Sequence, residues 1–384
     1  MHFWKECKKI VFSLTYVVYL VAVIAIYATQ FGVELKEPLN APKAGDDYYG
    51  LVKTDDEETI MTSALYSLLY EYGENTYIAY PFGLYKEIKL NESEKVQMER
   101  IIAGLTEADN LTISETVTYE EFLQAMEEVD DLLGGGSSYS KNGILTNFAS
   151  VTMTYEDALA EYESLTQGKE LLKSYTRLFC DYMGIILAIM PIFVCAALWQ
   201  ADKKAGIEAL IFSRKISSIK LVGVRYLALL FMLFLPIAGT YIHTIISLNS
   251  LYKAAEFALA PSVGMMLLWL LPEIMIVISL GMVVSILWLA FGAIFVQVIW
   301  WFFNVMLKLQ LSGAITKWDL VVRHNTLYEV QLFYSQYDTF VWNRVFYLTI
   351  SVLLFGVAVW IYDKKRKGQC NGKSRLFKNH TKQS

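Results

Sequence analysis

A run of 43 residues, Ser262 to Asn304, contains Glu273 as its only formally charged side chain. A single straight helix of that length would extend about 65 Å, roughly twice the hydrocarbon thickness of a bilayer. We therefore expect the run to cross a membrane twice, turning near Gly281 to Ser285. The whole chain of 384 residues is 55% hydrophobic and only 18% charged, which predicts a polytopic membrane protein with one polar insert.

Charge is segregated along the chain. The segment from Gly32 to Tyr175 has 28 acidic and 10 basic residues, whereas the remainder has 10 acidic and 23 basic residues. Because Lys and Arg resist translocation, we expect the acidic segment outside the cell and the basic parts in the cytoplasm. All four cysteines lie outside the acidic segment, so this segment has no disulfides and needs a core of its own.

The apolar runs predict an α-helical polytopic membrane protein with six transmembrane helices and a mainly helical extracellular domain between helices 1 and 2. The first run, Ile10 to Ala28, also fits a cleaved signal peptide, although its length favours a span. The predicted division is residues 1–31 for the N-terminus and first span, 32–175 for the extracellular domain, 176–200 for the second span, 201–220 for a cytoplasmic loop, 221–362 for spans three to six, and 363–384 for a basic cytoplasmic tail.

Helix-start signals recur within the acidic segment. A capping residue precedes an acid by three positions at Thr54 and Glu57, Asn91 and Glu94, Thr118 and Glu121, and Thr154 and Asp157. The glycines at 134–136 should end the third of these helices. The acids at 127–131 lack the alternating ligands of a calcium loop, so we interpret them as a solvated helix face and predict no metal site.

Two acidic residues fall within predicted membrane helices. Glu273 lies near mid-span beside Pro272, and Asp181 lies near the outer end of the second span. Ionisable groups at such depth are costly and usually face a bundle interior or a cavity. A pathway or gating role and a purely structural role in helix packing both fit. The aromatic-rich segment from Val305 to Trp342 suggests an interfacial or re-entrant stretch.

The sequence carries no recognisable catalytic motif. Gly368 to Ser374 has three residues between its glycines where a P-loop needs four, and no strand precedes it. Zinc-binding and nucleophile motifs are also absent from the sequence. We expect no cofactor in this chain, no enzyme activity and no nucleic-acid partner, whereas the basic tail could meet anionic membrane lipid.

A basic stretch, Ala201 to Ala228, separates the second and third spans and includes a short amphipathic segment. Its residues Lys204, Gly206, Glu208, Leu210, Ser213 and Arg214, followed by Arg225-Tyr226-Leu227-Ala228, resemble the corresponding loop of type-2 ATP-binding-cassette (ABC) transporter permeases. The large insert after the first span resembles a subgroup common in Gram-positive bacteria. The pairs Asp181-Tyr182 and Asn343-Arg344 and the triplet Arg323-His324-Asn325 fit that subgroup.

The resemblance implies a multi-pass export subunit in the cell membrane with both termini in the cytoplasm. Such a permease forms a homodimer or heterodimer and is driven by a separate ABC ATPase subunit, which binds ATP and Mg²⁺. The implied ATPase-coupling residues are Gly206, Glu208, Arg214 and Lys215. A solvated loop that merely obeys the positive-inside rule is the alternative for these charges.

Two other functions fit the same sequence. A membrane-anchored receptor or scaffold would use the acidic domain to hold an extracellular ligand without transport. A mechanotransmission permease would pass ATPase motion to that domain, but this type has three spans after its domain, whereas five are predicted here. The substrate of an exporter stays open, because the predicted membrane residues are mostly apolar and unspecific.

Overall fold

The computed structural model describes residues 2–81, 84–107, 112–166, 169–213, 215–253, 256–287, 290–309 and 315–368. Arg214, predicted to contact an ATPase, lies outside these residues, as does the tail from position 369 onward. The chain divides into two compact units. The membrane unit comprises Met1–Pro38, Gln167–Trp301 and Ile315–Ser384; the second unit comprises Leu39–Thr166, here called the insert domain, and Phe302–Ala314.

Helices dominate the described residues. In chain order they are α1 (Phe3–Val11), α2 (Leu14–Ile26), α3 (Glu57–Glu74), α4 (Glu92–Leu105), α5 (Tyr119–Leu132), α6 (Lys141–Asn147), α7 (Tyr155–Thr166), α8 (Glu170–Leu187), α9 (Met190–Lys204), α10 (Glu208–Phe212), α11 (Ser218–Leu251), α12 (Leu259–Leu287), α13 (Ala290–Leu309), α14 (Val330–Ser335) and α15 (Tyr337–Arg366). Antiparallel pairing joins strand β1 (Leu51–Lys53) to β4 (Ser150–Thr152) and β2 (Tyr77–Ala79) to β3 (Lys86–Ile88).

Among the described residues, five helical stretches are long and apolar enough to cross a membrane, which confirms the prediction of a helical membrane protein. They are Leu14–Leu35, Glu170–Lys204, Ser218–Leu251, Leu259–Leu287 and Tyr337–Arg366. A further apolar helical stretch, Phe291–Val305, is shorter. The insert domain, Leu39–Thr166, lies in the chain between the candidate spans Leu14–Leu35 and Glu170–Lys204; the extracellular domain predicted over 32–175 stays a prediction.

The first predicted span begins too early. Ile10 belongs to α1, and the spanning helix begins at Leu14 after a break at Phe12 and Ser13. The Ser13 hydroxyl accepts a hydrogen bond from the backbone N–H of Tyr16 at 3.2 Å, so Ser13 caps a new helix. Hydropathy alone did not reveal this polar residue as a helix boundary.

The predicted turn near Gly281 to Ser285 is wrong. Helix α12 continues through these residues to Leu287, and α13 begins at Ala290. A Cβ atom at Gly281 would lie only 2.6 Å from Cδ1 of Ile192 and 3.1 Å from Sγ of Cys195. This glycine therefore permits close packing of α12 against α9 rather than a turn.

The second predicted span is interrupted where α8 meets α9. Pro191 lacks an N–H, and the N–H groups of Ile189 and Ile192 bond three residues back instead of four. The carbonyls of Ile185 and Ala188 consequently lose their helical donors. Side chains of α13 replace these donors: Trp301 Nε1 donates to the Ile185 carbonyl at 2.9 Å and Gln297 Nε2 donates to the Ala188 carbonyl at 2.5 Å. All backbone groups in a bilayer need such partners.

The insert domain has its own apolar core, as the lack of disulfides predicts. Helices α3, α4, α5 and α6 contribute buried residues such as Leu68, Met98, Phe122, Met126 and Ile144. The predicted starts at Asn91, Thr118 and Thr154 are confirmed, because each side chain accepts a hydrogen bond from the amide three residues on, and the partner acid accepts one from the capping residue's amide. The glycines at 134–136 follow α5 with positive φ angles, as expected for its end.

The start predicted at Thr54 is wrong by two residues. Asp56 caps α3, because its carboxylate accepts a hydrogen bond from the Thr59 amide at 3.0 Å. The Thr54 hydroxyl instead accepts a hydrogen bond from the Asp56 amide at 3.1 Å. Both residues are good capping residues, and the acidic sequence that follows offers each of them a helix start.

Candidate functional site

A buried ion pair links α12 to α15 in the membrane unit. Arg344 Nη1 lies 3.4 Å from Glu273 Oε2, and neither side chain is exposed to solvent. The other nitrogens of Arg344 also donate to oxygen atoms, at the Asn343 side chain (2.8 Å) and at the carbonyls of Asp319 (2.9 Å) and Leu320 (3.1 Å). The planar guanidinium thereby ties two helices to the non-helical chain around Asp319.

A second buried acid, Asp181 on α8, binds the next part of that chain. Its carboxylate accepts hydrogen bonds from Arg323 Nε at 2.8 and 3.1 Å and from the backbone N–H of His324. Gly184, one turn along α8, has no side chain to block the Glu273 carboxylate, and a Cβ there would lie 3.3 Å from Glu273 Oε2. The two acids therefore belong to one cluster.

The residues 315–329 form a non-helical segment whose middle is buried. Leu320, Val321 and Val322 are fully buried there. Such a segment is tolerated inside a membrane protein only where side chains satisfy its backbone. Asn343 Nδ2 donates to the carbonyls of Thr316 and Asp319, both at 2.9 Å, in addition to the bonds from Arg344. The interfacial or re-entrant stretch predicted from Val305 to Trp342 stays a prediction.

Arg177 and His324 extend the cluster. Arg177 is fully buried, donates to Ser174 Oγ at 2.7 Å, and lies 5.3 Å from the ring centre of Phe333. The nearby His324 lies outside the membrane-spanning helices, and its ring nitrogen Nε2 is 3.2 Å from the Tyr328 carbonyl. Burial, and next the charge of Arg177, lower the pKa of His324 to about 4. His324 is therefore neutral at physiological pH and donates to that carbonyl.

The cluster, which we call the inner cluster, contains the acids Asp181, Glu273 and Asp319 and the arginines Arg177, Arg323 and Arg344. Glu170 Oε2 lies 4.0 Å from Arg177 Nη1. Glu273 Oε1 has no hydrogen-bond partner among the described residues. Arg177 Nε and Nη1 also lack hydrogen-bond partners there, so two members of the cluster keep unsatisfied buried polar atoms. The arrangement holds together α8, α12, α15 and the segment 315–329.

The loop between α9 and α11 brings together the predicted ATPase-coupling residues that the structure describes. Gly206 ends α9 with φ of +65°, and Glu208 begins α10. The Glu208 carboxylate pairs with Lys365 Nζ of α15 at 3.1 Å, whereas Lys215 is exposed. Arg366 Nε donates to the Phe212 carbonyl at 3.0 Å. The loop helix is thus tied to the end of α15.

A second charged cluster beside this loop was missed by the sequence analysis. Arg225 forms a hydrogen-bonded ion pair with Asp202 and lies 3.4 Å from Glu6, and Lys9 lies 3.0 Å from Glu6. Arg225 also covers the ring of Trp199 at 4.9 Å. One feature of the sequence could have indicated this cluster. Glu6 is the one acidic residue before Glu34, and it stands among lysines.

The structure does not bring the two groups of predicted residues into one site. Glu273 and Asp181 lie in the inner cluster, whereas Gly206, Glu208 and Lys215 lie in the loop region. Within the described residues, no three His, Cys, Asp or Glu side chains are grouped as a metal site requires. Comparisons with models of known protein families, with curated proteins and with solved structures found no match to this chain.

Proposed function

We propose that this chain is the membrane-spanning permease subunit of an ABC exporter, driven by a separate ATPase that docks on the loop between α9 and α11. The supporting observation is that this loop and the end of α9 before it are fastened to the ends of long helices. Lys203 Nζ donates to the Ser285 carbonyl near the end of α12 at 2.8 Å, and Lys365 pairs with Glu208. Force applied to the loop would therefore reach α12 and α15 directly.

Helices α12 and α15 carry that force to the inner cluster. Arg344 and Lys365 are 21 residues apart on α15, which corresponds to about 32 Å along a helix. Glu273 lies 12 residues from Ser285 on α12, or about 18 Å. A shift of either helix would change the distance between Glu273 and Arg344. In this proposal, the inner cluster holds the resting packing of the helices, and ATPase closure exchanges its partners to open a path.

The rest of the assembly follows from the same proposal. Six spans would include α13 as the fifth, both termini would lie in the cytoplasm, and the insert domain would be extracellular in the cell membrane. Two permease copies, identical or related, would pair with ATPase subunits that bind ATP and Mg²⁺. Gly206 would supply the bend before α10, and Glu208, Arg214 and Lys215 would meet the ATPase by charge.

A charge swap separates docking from internal support. Because Glu208 already pairs with Lys365, Glu208→Lys alone would break an internal contact as well as any docking contact. The double variant Glu208→Lys with Lys365→Glu restores the internal pair but reverses the charge presented on α10. We expect the swap to remain folded yet to lose copurification of an ATPase from the native membrane and vanadate-sensitive ATP hydrolysis.

Lys365→Glu alone is the matched control, because it breaks the internal pair and leaves Glu208 in place. We expect this variant to keep the ATPase. If the double variant retained full ATPase binding and hydrolysis, Glu208 would have only an internal role. If wild-type protein came down without any nucleotide-binding subunit, the permease proposal would fail and a membrane receptor or scaffold would be favoured.

A further inference from the structure

A cavity of about 440 Å³ opens between α1, α10 and the start of α11. It is lined by three basic side chains, one histidine, one acid and five aliphatic side chains. These are His2, Lys5, Lys9, Arg225, Glu6, Ile207, Leu210, Ile211, Ile216 and Leu221. Its volume is in the range of small-molecule sites in proteins. Basic side chains outnumber the single acid, and half of the lining is aliphatic, which is a composition that suits an anionic amphiphile.

The polar part of the cavity holds buried atoms that lack hydrogen-bond partners. Glu6 and Arg225 are each 2% exposed, and neither Glu6 Oε2 nor Arg225 Nε makes a hydrogen bond within the described residues, although the two atoms are 3.4 Å apart. These two atoms are enclosed by protein and face each other as an ion pair, so Arg225 is not open to a ligand in the cavity.

Lys5 is available to a ligand in the cavity. Unlike Lys9, which pairs with Glu6 at 3.0 Å, the side chain of Lys5 makes no ion pair or hydrogen bond with the part of the chain that the structure describes. Asp202 and Glu6 already offset the charge of Arg225. Lys5 therefore leaves one uncompensated positive charge at the cavity.

The cavity lies where membrane-spanning helices begin and end. The candidate spans start at Leu14 and Ser218 and end at Lys204, and the cavity-lining residues flank all three positions. Lipid headgroups lie at this depth, and their acyl chains extend toward the hydrocarbon. Basic pockets at the ends of membrane helices are known to bind anionic headgroups.

We propose that this cavity binds an anionic phospholipid. Its phosphate contacts Lys5, and the start of its acyl chain lies against Leu210, Ile207 and Leu221. The inference does not depend on the proposed export function, since it requires only a membrane and the geometry of α1, α10 and α11.

Lipid binding to the purified full-length chain in detergent tests this proposal. A fluorescent phosphatidylglycerol serves as the probe, and unlabelled phosphatidylglycerol, phosphatidylcholine and glycerol phosphate serve as competitors. We expect phosphatidylglycerol to compete at lower concentration than phosphatidylcholine and glycerol phosphate not to compete in the same range. Equal competition by glycerol phosphate would assign the site to a soluble anion, and equal competition by phosphatidylcholine would remove the anionic preference; either result overturns the proposal.

Matched variants locate the binding within the cavity. We expect Lys5→Ala to weaken binding about five-fold, whereas Lys8→Ala on the same helix, which does not line the cavity, leaves it unchanged. Leu210→Gln should also weaken binding, and Ile219→Gln should not; both side chains are about 60% exposed, so folding tolerates the change. Equal loss in Lys5→Ala and Lys8→Ala would indicate only a general attraction to basic surface, and no loss in Lys5→Ala or Leu210→Gln would exclude the cavity.

Discussion

At the scale of single residues, the membrane unit depends on a few arginines that are completely buried. Arg177, Arg225 and Arg344 are among its largest fully buried side chains. A lone charge in such a place is very costly, and each guanidinium is compensated by acids, carbonyls or aromatic faces. Removing one partner of such a pair should be worse than removing both, because only the single removal leaves an uncompensated charge.

Arg344→Met tests that asymmetry. We expect it to lower the free energy of unfolding by roughly 3–5 kcal/mol, because the Glu273 carboxylate loses its cation. The double variant Arg344→Met with Glu273→Leu should recover part of this loss. Unfolding of the purified protein in mixed micelles of increasing denaturing-detergent content measures both. Lys365→Met, in a partly exposed pair, should cost less than about 1 kcal/mol, and a similar cost for Arg344→Met would show that the ion pair is unimportant.

His324 should make the stability of the membrane unit depend on pH. Its pKa is lowered from 6.5 to about 4 in the folded chain, so the unfolded chain binds the proton more readily. The stability that neutral His324 provides is complete above pH 6.5 and is lost as the pH falls toward 4, by about 3 kcal/mol in total. Thermal unfolding at pH 7, 6 and 5 should show a steeper loss for wild type than for His324→Gln, which keeps a donor for the Tyr328 carbonyl. Parallel curves for the two proteins would exclude His324 as the source.

At the scale of secondary structure elements, interruptions in the helices are repaired by side chains from elsewhere. Gln297 matters because Pro191 interrupts the helix and frees the Ala188 carbonyl. We expect Gln297→Met to cost roughly 1–3 kcal/mol in the wild-type background. In a Pro191→Ala background the helix can close its own hydrogen bonds, so the same change should cost much less. A double-mutant cycle on unfolding free energy measures this coupling, and additive effects would show that Gln297 does not compensate for the proline.

Helix capping gives a matched pair in the insert domain. Thr118→Ala should destabilise α5 by about 1 kcal/mol, because Thr118 is the capping residue. Thr54→Ala should have a smaller effect on α3, since Asp56 performs that function. Hydrogen–deuterium exchange of the full chain measures the protection of each helix. A loss of α3 protection in Thr54→Ala equal to that of α5 in Thr118→Ala would favour the helix start that the sequence suggested.

These elements also show what sequence could and could not predict. Three of the four helix starts were predictable, because a cap and its acid are neighbours in the chain. The turn at Gly281 was not, because a glycine that admits Ile192 of another helix has the same local sequence as a glycine in a turn. The sequence predicted Glu273 and Asp181 as acids that are costly to bury, but it did not predict their partners. Glu273 and Arg344 are 71 residues apart in the chain, and Asp181 and Arg323 are 142 apart.

At the scale of the whole molecule, hydropathy was sufficient to predict a helical membrane protein with a polar insert. Orientation in the membrane is part of the proposed function and has its own prediction. The insert domain has no cysteine, and Cys7, Cys180 and Cys195 are buried. Once Cys370 is replaced by Ser, the native cysteines should therefore contribute little to the labelling of an introduced cysteine.

In that background, Tyr66→Cys should react with a membrane-impermeant maleimide in intact cells, because Tyr66 is 76% exposed in the insert domain. Lys220→Cys, at the start of α11, should react only after the cells are permeabilised. Gel-shift labelling measures both. The reverse pattern would place the basic loop outside and contradict docking of a cytoplasmic ATPase.

The buried segment 315–329 has a consequence for how the protein is made. Its carbonyls at Thr316, Asp319 and Leu320 accept hydrogen bonds from Asn343 and Arg344, which a ribosome adds later. Until α15 is synthesised, these carbonyls lack the side-chain donors that satisfy them, and burial of the segment is costly. Synthesis of α15 must therefore precede burial of this segment, although the segment comes earlier in the chain.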